Sequence, residues 1–563
     1  MSRLFPFFSH SIGGALSVVY DNLAGAASIS IIFFALILFL ISVKGRVFFG
    51  TDLDRPLLLF VTAALISLFY SVDRNLTLRS LICLLSNISV FYMLLGVLNT
   101  KKRIMFFLAF LIGLSLSVSI LGLVHYFFIY NLILTEFSSL IPSEVVRNFL
   151  QIGRISSVFG WPNLLAGFLM LYVPVAFVFC FFTQNRRERL YVGLIAAILS
   201  LTMLFTYSIA GLFSLATAIF ISAFLYKRCK NRDGSNKSVG KGKAFIAAIV
   251  LLLILVSIIA SKRFNIFTLS SFQSRAIYLR SVLMMIKTHP VLGYGLNTFQ
   301  IVNPNFITSS AGYAAHAHNS YLQIWAETGI VGFISFILFV SAIVKSAIHG
   351  LRHCRERKDA LVLIGIFCGA LAFLIHNIFS FTLFVPRTAI FWWVSLALIF
   401  AWIKQMYPVD DKRPVTKNKR LQQLGSALVR LILAISAIFF VRLFLADIYF
   451  YNGLNSAKQN NISNSILNFS RANIANPTDG KIHTVMGKTY LNLYNVKRRR
   501  VLLKYAEEEF KKAISLRPTV ALNYGLLGNL YRVQGKAKIA QNYYDIAARL
   551  SPSQAKYRRI SHR

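Results

Sequence analysis

The sequence predicts an all-α protein with two parts, a polytopic helical membrane domain over residues 1–450 and a helical-repeat domain over residues 451–563. Hydrophobic residues make up 56% of the 563 positions, and the mean hydropathy of the chain is +0.63. A soluble chain of this length carries far fewer apolar residues, so these values indicate a membrane protein. The tail is more polar and repeats itself at a fixed spacing, which is typical of stacked helix pairs.

The membrane domain contains about twelve apolar runs that are long enough to form transmembrane helices. A run of about 20 apolar residues suffices for a helix to cross the hydrocarbon core. The predicted spans are residues 24–43, 56–72, 79–99, 104–128, 163–183, 190–207, 209–226, 243–261, 329–348, 360–381, 388–406 and 427–449. The stretch Leu190–Tyr226 is too long for one span, and we expect a reversal at Tyr207–Gly211. Whether residues 4–20 form a thirteenth span stays open.

The orientation follows from the distribution of Lys and Arg between the spans. Six connecting segments, taken alternately, each hold three to seven basic residues, whereas the short segments of the other set hold Arg74, Arg79 and Arg387. Basic segments are retained in the cytoplasm, so the first set is predicted to be cytoplasmic. The loops 129–162 and 262–328 and the repeat domain are then extracytoplasmic.

The strong positive charge of the chain belongs to the same pattern. There are 60 Lys and Arg residues against 19 Asp and Glu, which gives a net charge of +41. In a soluble protein this charge would favour nucleic acid, but here the basic residues lie mostly between apolar runs and in the tail. We therefore expect membrane lipid as a partner and no nucleic acid. The five cysteines have no metal-ligand spacing, so neither disulfides nor a cysteine metal site is expected.

The tail repeats with a period of 34 residues. The matching pairs are Ala506 with Ala540, Phe510 with Tyr544, Ala513 with Ala547, and Pro518 with Pro552. This pattern resembles the tetratricopeptide repeat, whose helix pairs bury small and aromatic residues against each other. A weaker copy precedes it at a spacing of 41, with the additional residues around Val496–Val501. The resemblance implies a module that binds a protein partner or stabilises an assembly.

The external loop 262–328 has the composition of an anion site. Between residues 262 and 330 the only acid is Glu327, whereas Arg275 and Arg280 are among several cations. A divalent metal needs several oxygen ligands, chiefly carboxylates, so no metal site is expected. Guanidinium groups bind phosphate with two parallel hydrogen bonds. The loop therefore favours a phosphorylated ligand bound without a metal, although a basic loop that faces anionic lipid would have the same composition.

Two motifs bear on function, one before the fifth predicted span and one in the loop 262–328 and the start of the next span. The first is RISSVFGWPNLLAGF at 154–168, directly before a span. The second comprises QSRAIYLRSVLMMIKTHPVLGYGLNTF at 273–299 and AHAHNSYLQIWAETGIVGF at 315–333, which read as a short helix, a Gly293–Gly295 turn and the start of the next helix. In this order they resemble the O-antigen ligase and polymerase superfamily, over about residues 150–345.

The resemblance implies a multi-span glycosyltransferase, GT-C-like in fold, in the bacterial inner membrane. Such an enzyme transfers a glycan from an undecaprenyl-diphosphate carrier to a hydroxyl of a glycan, lipid or protein acceptor outside the cytoplasm. Arg275 falls on the loop arginine of the family and His318 on the histidine of its H-N motif, so these two are the expected catalytic residues. The physical chemistry agrees, because a diphosphate leaving group gains negative charge and the attacking hydroxyl needs a proton acceptor. No cofactor is required.

Four further residues are expected to bind substrate. Arg154 falls on the arginine of the first motif, Arg280 is the basic companion of the loop arginine, and Asn319 follows the motif histidine. Glu327 is either a partner that orients His318 or a cap of the next span.

One position departs from the family pattern. Many members have an arginine in the turn where this chain has Ile209. The diphosphate site is therefore one cation short, or Arg154 takes over that role.

Three other functions remain open. A metal-dependent oligosaccharyltransferase would use the pair Asp52 and Asp54, but the predicted orientation puts that pair in the cytoplasm. A flippase or transporter of lipid-linked glycans usually has charges in mid-membrane and two related halves. In this sequence the candidate charges lie in predicted external loops, and no two halves resemble each other. A membrane scaffold for polysaccharide assembly would leave the cations of the loop without a purpose. Within the favoured class, ligase and polymerase are both possible.

Overall fold

The computed structural model describes residues 51–129, 153–230, 265–307, 314–406 and 419–551, and these residues form helices without any strand. The helices are α1 (Asp54–Phe69), α2 (Arg74–Val97), α3 (Lys101–Val124), α4 (Pro162–Phe182), α5 (Arg186–Phe205), α6 (Ile209–Lys230), α7 (Asn265–Thr288), α8 (Ser320–His353), α9 (Arg357–His376), α10 (Pro386–Met406), α11 (Lys419–Lys458), α12 (Ile462–Ala475), α13 (Gly480–Lys497), α14 (Val501–Leu516), α15 (Ala521–Val533) and α16 (Ala537–Leu550). The all-helical fold expected from the sequence is confirmed for this part of the chain.

Nine of the described helices are long and apolar enough to cross a membrane, and each corresponds to a predicted span. The predicted span 56–72 corresponds to α1, which has only 16 residues. That length is below the roughly 17–25 residues of a membrane-crossing helix. The predicted spans 24–43 and 243–261 lie outside the described residues. The number of twelve spans thus stays a prediction.

The predicted reversal at Tyr207–Gly211 is confirmed. Helix α5 ends at Phe205 and α6 begins at Ile209, with Tyr207 in the left-handed region at φ 47°. The Ser208 hydroxyl accepts a hydrogen bond from the backbone N–H of Gly211 at 3.3 Å. This bond satisfies one of the amides that have no partner at the start of a helix.

The first of two compact units comprises Met1–Pro56, Ser86–Leu269 and Leu338–Leu433. In its described part, α9 packs against α4 and α10. A Cβ at Gly369 would meet the backbone of Leu171 in α4, and one at Gly365 would meet Val178. Two glycines one turn apart therefore let the helices approach closely, which is a common way to associate helices in a membrane.

The second unit comprises Leu57–Leu85, Ser270–Ile337 and Ala434–Arg563. It contains the segment between α1 and α2, the predicted external loop and the helices of the tail. Helix α11 continues without a break from Lys419 to Lys458, across the predicted domain boundary at 450. The loop that carries the candidate site and the repeat helices thus belong to one unit.

The tail helices repeat one geometry three times, in the pairs α11–α12, α13–α14 and α15–α16. In each pair a glycine of the first helix faces an aromatic ring of the second. These contacts are Gly453 with Phe469, Gly487 with Phe510 and Gly528 with Tyr544. The second helices end alike at Asn476, Arg517 and Ser551, with φ of −144°, −142° and −144°. The internal repeat read from the sequence thus has a structural counterpart, while its assignment to the tetratricopeptide family stays a prediction.

Candidate active site

The candidate site is built on a small apolar core inside the second unit. Three segments contribute to it, namely the second half of α7, the one-turn helix Phe299–Val302, and the start of α8 with the residues before it. The buried members are Tyr278, Val282, Met285, Ile286, Phe299, Val302, Ile307, Ala314, Ala317 and Ala326. The α7 residues recur at the spacing of one helix face, so their burial fixes the rotation of α7 about its axis.

The side chain of Glu327 binds the turn between α7 and the one-turn helix, which comprises residues 289–298. Its side chain is fully buried, and one carboxylate oxygen accepts the backbone N–H of Asn297 at 2.6 Å. The other oxygen accepts the N–H of Phe299 at 3.1 Å and the side-chain amide of Gln323 at 2.9 Å. All three partners are donors, so the site requires a group that only accepts. Of the two roles considered for Glu327, the structure shows neither a direct contact with His318 nor a helix cap, but a clamp on the turn.

Gln323 extends this clamp to the segment before α8. Its side-chain oxygen accepts the backbone N–H of Ala317 at 3.0 Å, and its amide nitrogen lies 3.3 Å from Nδ1 of His316. Burial lowers the pKa of His316 to about 4. The imidazole is therefore neutral at pH 7, and its Nδ1 can accept the hydrogen bond from Gln323. The clamp thus reaches the two residues that precede His318.

His318 lies two residues before the start of α8 at Ser320. Its backbone is in the left-handed region at φ 55°, a conformation that costs a residue with a Cβ on the order of 1–3 kcal/mol. Its ring stacks on Tyr278 of α7, with ring centroids 5.9 Å apart and planes inclined by 15°. Its chain neighbours Ala317 and Asn319 are both hydrogen-bonded to residues of α8, and these bonds hold the backbone of His318 in this conformation.

Arg275 lies on α7, three residues before Tyr278. Residues at this spacing are neighbours on one helix face, so Arg275 lies on the same face of α7 as the tyrosine on which His318 stacks. Arg275 is partly buried, and this burial lowers the pKa of its guanidinium. An arginine keeps its charge even so. No ion pair between described residues involves Arg275.

Arg280 and Asn319, two of the predicted substrate-binding residues, have different surroundings. Arg280 is exposed on α7, and at two residues from Tyr278 it does not share that face of the helix. The side-chain oxygen of Asn319 accepts the backbone N–H of Leu322 at 3.0 Å. Asn319 therefore caps the first turn of α8 and thereby sets where the helix begins after His318.

Arg154 belongs to the first unit and supports the reversal between α5 and α6. Its guanidinium donates to the carbonyl oxygens of Thr206 at 2.9 Å and Tyr207 at 3.4 Å, and to the side-chain oxygen of Asn163 at 3.2 Å. It thus lies beside the turn in which Ile209 replaces the family's arginine. Its described contacts are those of a structural arginine.

Gly329 is needed where α8 approaches the turn. It has φ 70° inside α8, and an added Cβ would overlap the backbone of Val291. We expect Gly329→Ala to lower the melting temperature markedly and to reduce the yield of folded protein, because both the strain and the overlap must be relieved. Gly193→Ala is the matched control, since nothing lies within 4 Å of its Cβ position. Equal melting temperatures for the two variants would contradict this account.

Sequence reasoning missed Tyr278 and Gln323 as parts of the site. Both have a local signal, because Tyr278 lies three residues after Arg275 and Gln323 four residues before Glu327, on the same helix faces. It also missed the segment 71–77, in which Val72 and Thr77 donate hydrogen bonds to the turn after α7 and for which no local signal exists.

One comparison with known proteins bears on this site. Residues 194–337 match the sequence model of a family described as O-antigen ligase. The matched range contains Arg275 and His318, whereas Arg154 lies before it. The match covers about a quarter of the chain. No curated protein matches the sequence.

The match supports a glycosyltransferase of the O-antigen ligase or polymerase type in general, as the motifs suggested. That family implies a lipid-linked glycan as donor and a glycan as acceptor. Together with the nine apolar helices among the described residues, it indicates an integral membrane protein of the bacterial inner membrane.

Proposed function

We propose that this chain transfers a glycan from undecaprenyl diphosphate to an acceptor hydroxyl on the outer side of the inner membrane, without a metal ion. The observation that supports the proposal is the stacking of His318 on Tyr278 of α7, the helix that also carries Arg275 three residues before that tyrosine. A cation and a proton acceptor are the two groups that this reaction needs. The matched family supplies the reaction class.

The two residues divide the reaction between them. The acceptor oxygen attacks the anomeric carbon of the glycan and forms the new glycosidic bond. The bond between that carbon and the phosphate oxygen breaks, and its electron pair leaves with the undecaprenyl diphosphate. His318 takes the proton of the acceptor hydroxyl, while the Arg275 guanidinium stabilises the negative charge that develops on the diphosphate.

Glu327 at the candidate site and the rival acidic pair Asp52 and Asp54 all have hydrogen-bond partners. Glu327 accepts from three donors within the turn. In the first unit, Asp54 accepts from the hydroxyl groups of Thr51 and Tyr92 at 2.5 and 2.7 Å, and Asp52 accepts from Ser346 at 3.1 Å. The loop that carries the candidate site supplies Glu327 as its single acid, so the proposal rests on fixed cations.

Transfer by the purified protein should therefore persist in excess EDTA. The assay supplies a lipid-diphosphate-linked glycan and an acceptor and follows product formation with and without chelator. Equal rates are expected. Loss of transfer that magnesium or manganese restores would contradict the proposal and favour Asp52 and Asp54 instead.

The other predicted substrate-binding residues take supporting roles in this proposal. Glu327 and Asn319 position the segment around His318 by the bonds described above. Arg280, which is exposed, supplies additional positive charge for an anionic donor. Arg154 belongs to the other unit, and its role in substrate binding stays a prediction. The tail repeats its helix pair three times, which supports a module that binds a protein partner on the same, extracytoplasmic side.

A further inference from the structure

The repeat helices are joined to the candidate site by a buried ion pair. Nε of Arg517, which ends α14, donates to a carboxylate oxygen of Asp73 at 2.8 Å. The Asp73 side chain is 3% exposed and that of Arg517 is 11% exposed. Both residues lie in the second unit. A pair with so little exposure is held in one geometry, unlike an ion pair on the surface.

Asp73 is also the N-terminal cap of α2, which begins at Arg74. Its second carboxylate oxygen accepts the backbone N–H of Leu76 at 3.0 Å, and its own N–H donates to the Ser71 hydroxyl at 3.1 Å. The carboxylate thus fixes residues 71–77, which we call the α2 cap, while it binds the repeat helices.

The α2 cap also binds the turn that joins α7 to the one-turn helix of the candidate site. The backbone N–H of Val72 donates to the carbonyl oxygen of Tyr294 at 3.1 Å, and the Thr77 hydroxyl donates to that of Leu296 at 3.0 Å. Gly295 lies between Tyr294 and Leu296 in the chain, and a Cβ at this position would overlap Ser71. The turn therefore lies against the α2 cap with no room for a side chain between them.

From the turn, the contacts continue to His318 through residues described above. Glu327 accepts the N–H groups of Asn297 and Phe299, and Gln323 joins Glu327 to the backbone of Ala317. A continuous series of hydrogen bonds thus runs from Arg517 to the residue before His318. A second contact is parallel to it, because α16 packs against Asn303–Asn305. Asn303 is bonded to Ser281 of α7 at 2.6 Å.

We propose that Arg517 is a positioning residue for His318, and that the repeat domain controls glycan transfer through the Arg517–Asp73 pair. This inference rests on the proposed function of the site. Its physical basis is the left-handed backbone of His318, which persists only while the neighbouring segments hold it. Because the series of bonds ends at Ala317, directly before His318, we expect it to act on the proton transfer more strongly than on donor binding. A partner that displaces Arg517 would thus lower the rate.

The test compares full-length variants that keep or break the pair. Arg517→Gln and Asp73→Asn should each lower kcat by about 10²-fold, the effect expected for a misplacement of about 1 Å, with the KM for the donor within twofold of wild type. Arg517→Lys keeps the charge and should retain most of the rate. The double variant should be no worse than either single one, since both remove the same interaction.

Hydrogen exchange gives a readout that does not depend on activity. In Arg517→Gln the amides of Asn297, Phe299 and Ala317 should exchange faster than in wild type. The matched control is Arg79→Gln, which breaks the neighbouring pair with Asp479 at 3.4 Å but leaves the α2 cap bonded to the turn. Lys511→Gln breaks an exposed pair with Glu507 elsewhere in the repeat domain. Neither should change these amides.

The outcomes separate this inference from the proposed function. Unchanged exchange in Arg517→Gln, or an equal change in Arg79→Gln, would overturn the coupling even if the wild type transfers glycan. Faster exchange in Arg517→Gln, with no glycan transfer by the wild type, would leave the coupling intact and overturn the function. Additive losses in the double variant would also show that the two residues do not act as a pair.

Discussion

The His318→Ala variant should transfer glycan about 10²–10⁴-fold more slowly than the wild type, the range lost when a general base is removed. Binding of the lipid-diphosphate donor should stay near normal, because Arg275 is untouched. Single-turnover rates and donor binding, measured on the same protein preparation, check both statements. Turnover at the wild-type rate would show that His318 is not the base.

In the Arg275→Lys variant, unlike in His318→Ala, donor binding itself should be affected. Lysine keeps the charge but lacks the planar fork that binds two phosphate oxygens at once. Donor binding should therefore weaken and transfer remain severely impaired. Matched controls are His353→Ala and Arg187→Lys, which change exposed residues of the first unit. A misfolding effect would impair donor binding and transfer alike in both site variants, so the difference between them is the decisive result.

Nine of the twelve predicted spans coincide with long apolar helices of the described residues, because the signal for a span is local. A run of apolar residues specifies a membrane helix wherever it lies, and this is why α5 and α6 could be separated at Tyr207. The repeat was also readable, since each of its units presents the same pattern to its neighbour. The glycines at 453, 487 and 528 show that a further part of the pattern was present in the sequence.

The polar contacts that organise the site could not be predicted in the same way. Asp73 and Arg517 lie 444 residues apart, and nothing near either residue indicates the partner. The motif included Glu327 among the expected site residues but left its role undecided between orienting His318 and capping the next span. The deciding information is the position of two backbone amides, which every residue except proline has. Such contacts depend on the fold and not on a residue pattern.

Replacing Glu327 should have the largest effect on stability. In Glu327→Ala the amides of Asn297 and Phe299 and the side chain of Gln323 lose their acceptor in a buried place. An unsatisfied buried donor costs about 1–3 kcal/mol, so the loss of the acceptor for three donors should lower the free energy of unfolding by roughly 3–9 kcal/mol. Transfer should fall with it, because the segment that carries His318 is no longer held.

Glu327→Gln tests whether the site needs an acceptor or only the volume of the side chain. Glutamine has nearly the same shape, but its NH₂ group would face N–H donors where the second carboxylate oxygen accepts. It should therefore be destabilised almost as much as the alanine variant in chemical or thermal unfolding of the detergent-solubilised protein. The matched control is Glu508→Gln on the exposed side of α14, which should unfold like the wild type. A Glu327→Gln variant with wild-type stability would mean that the carboxylate does not hold the turn, and the route from Arg517 to His318 would lose its central step.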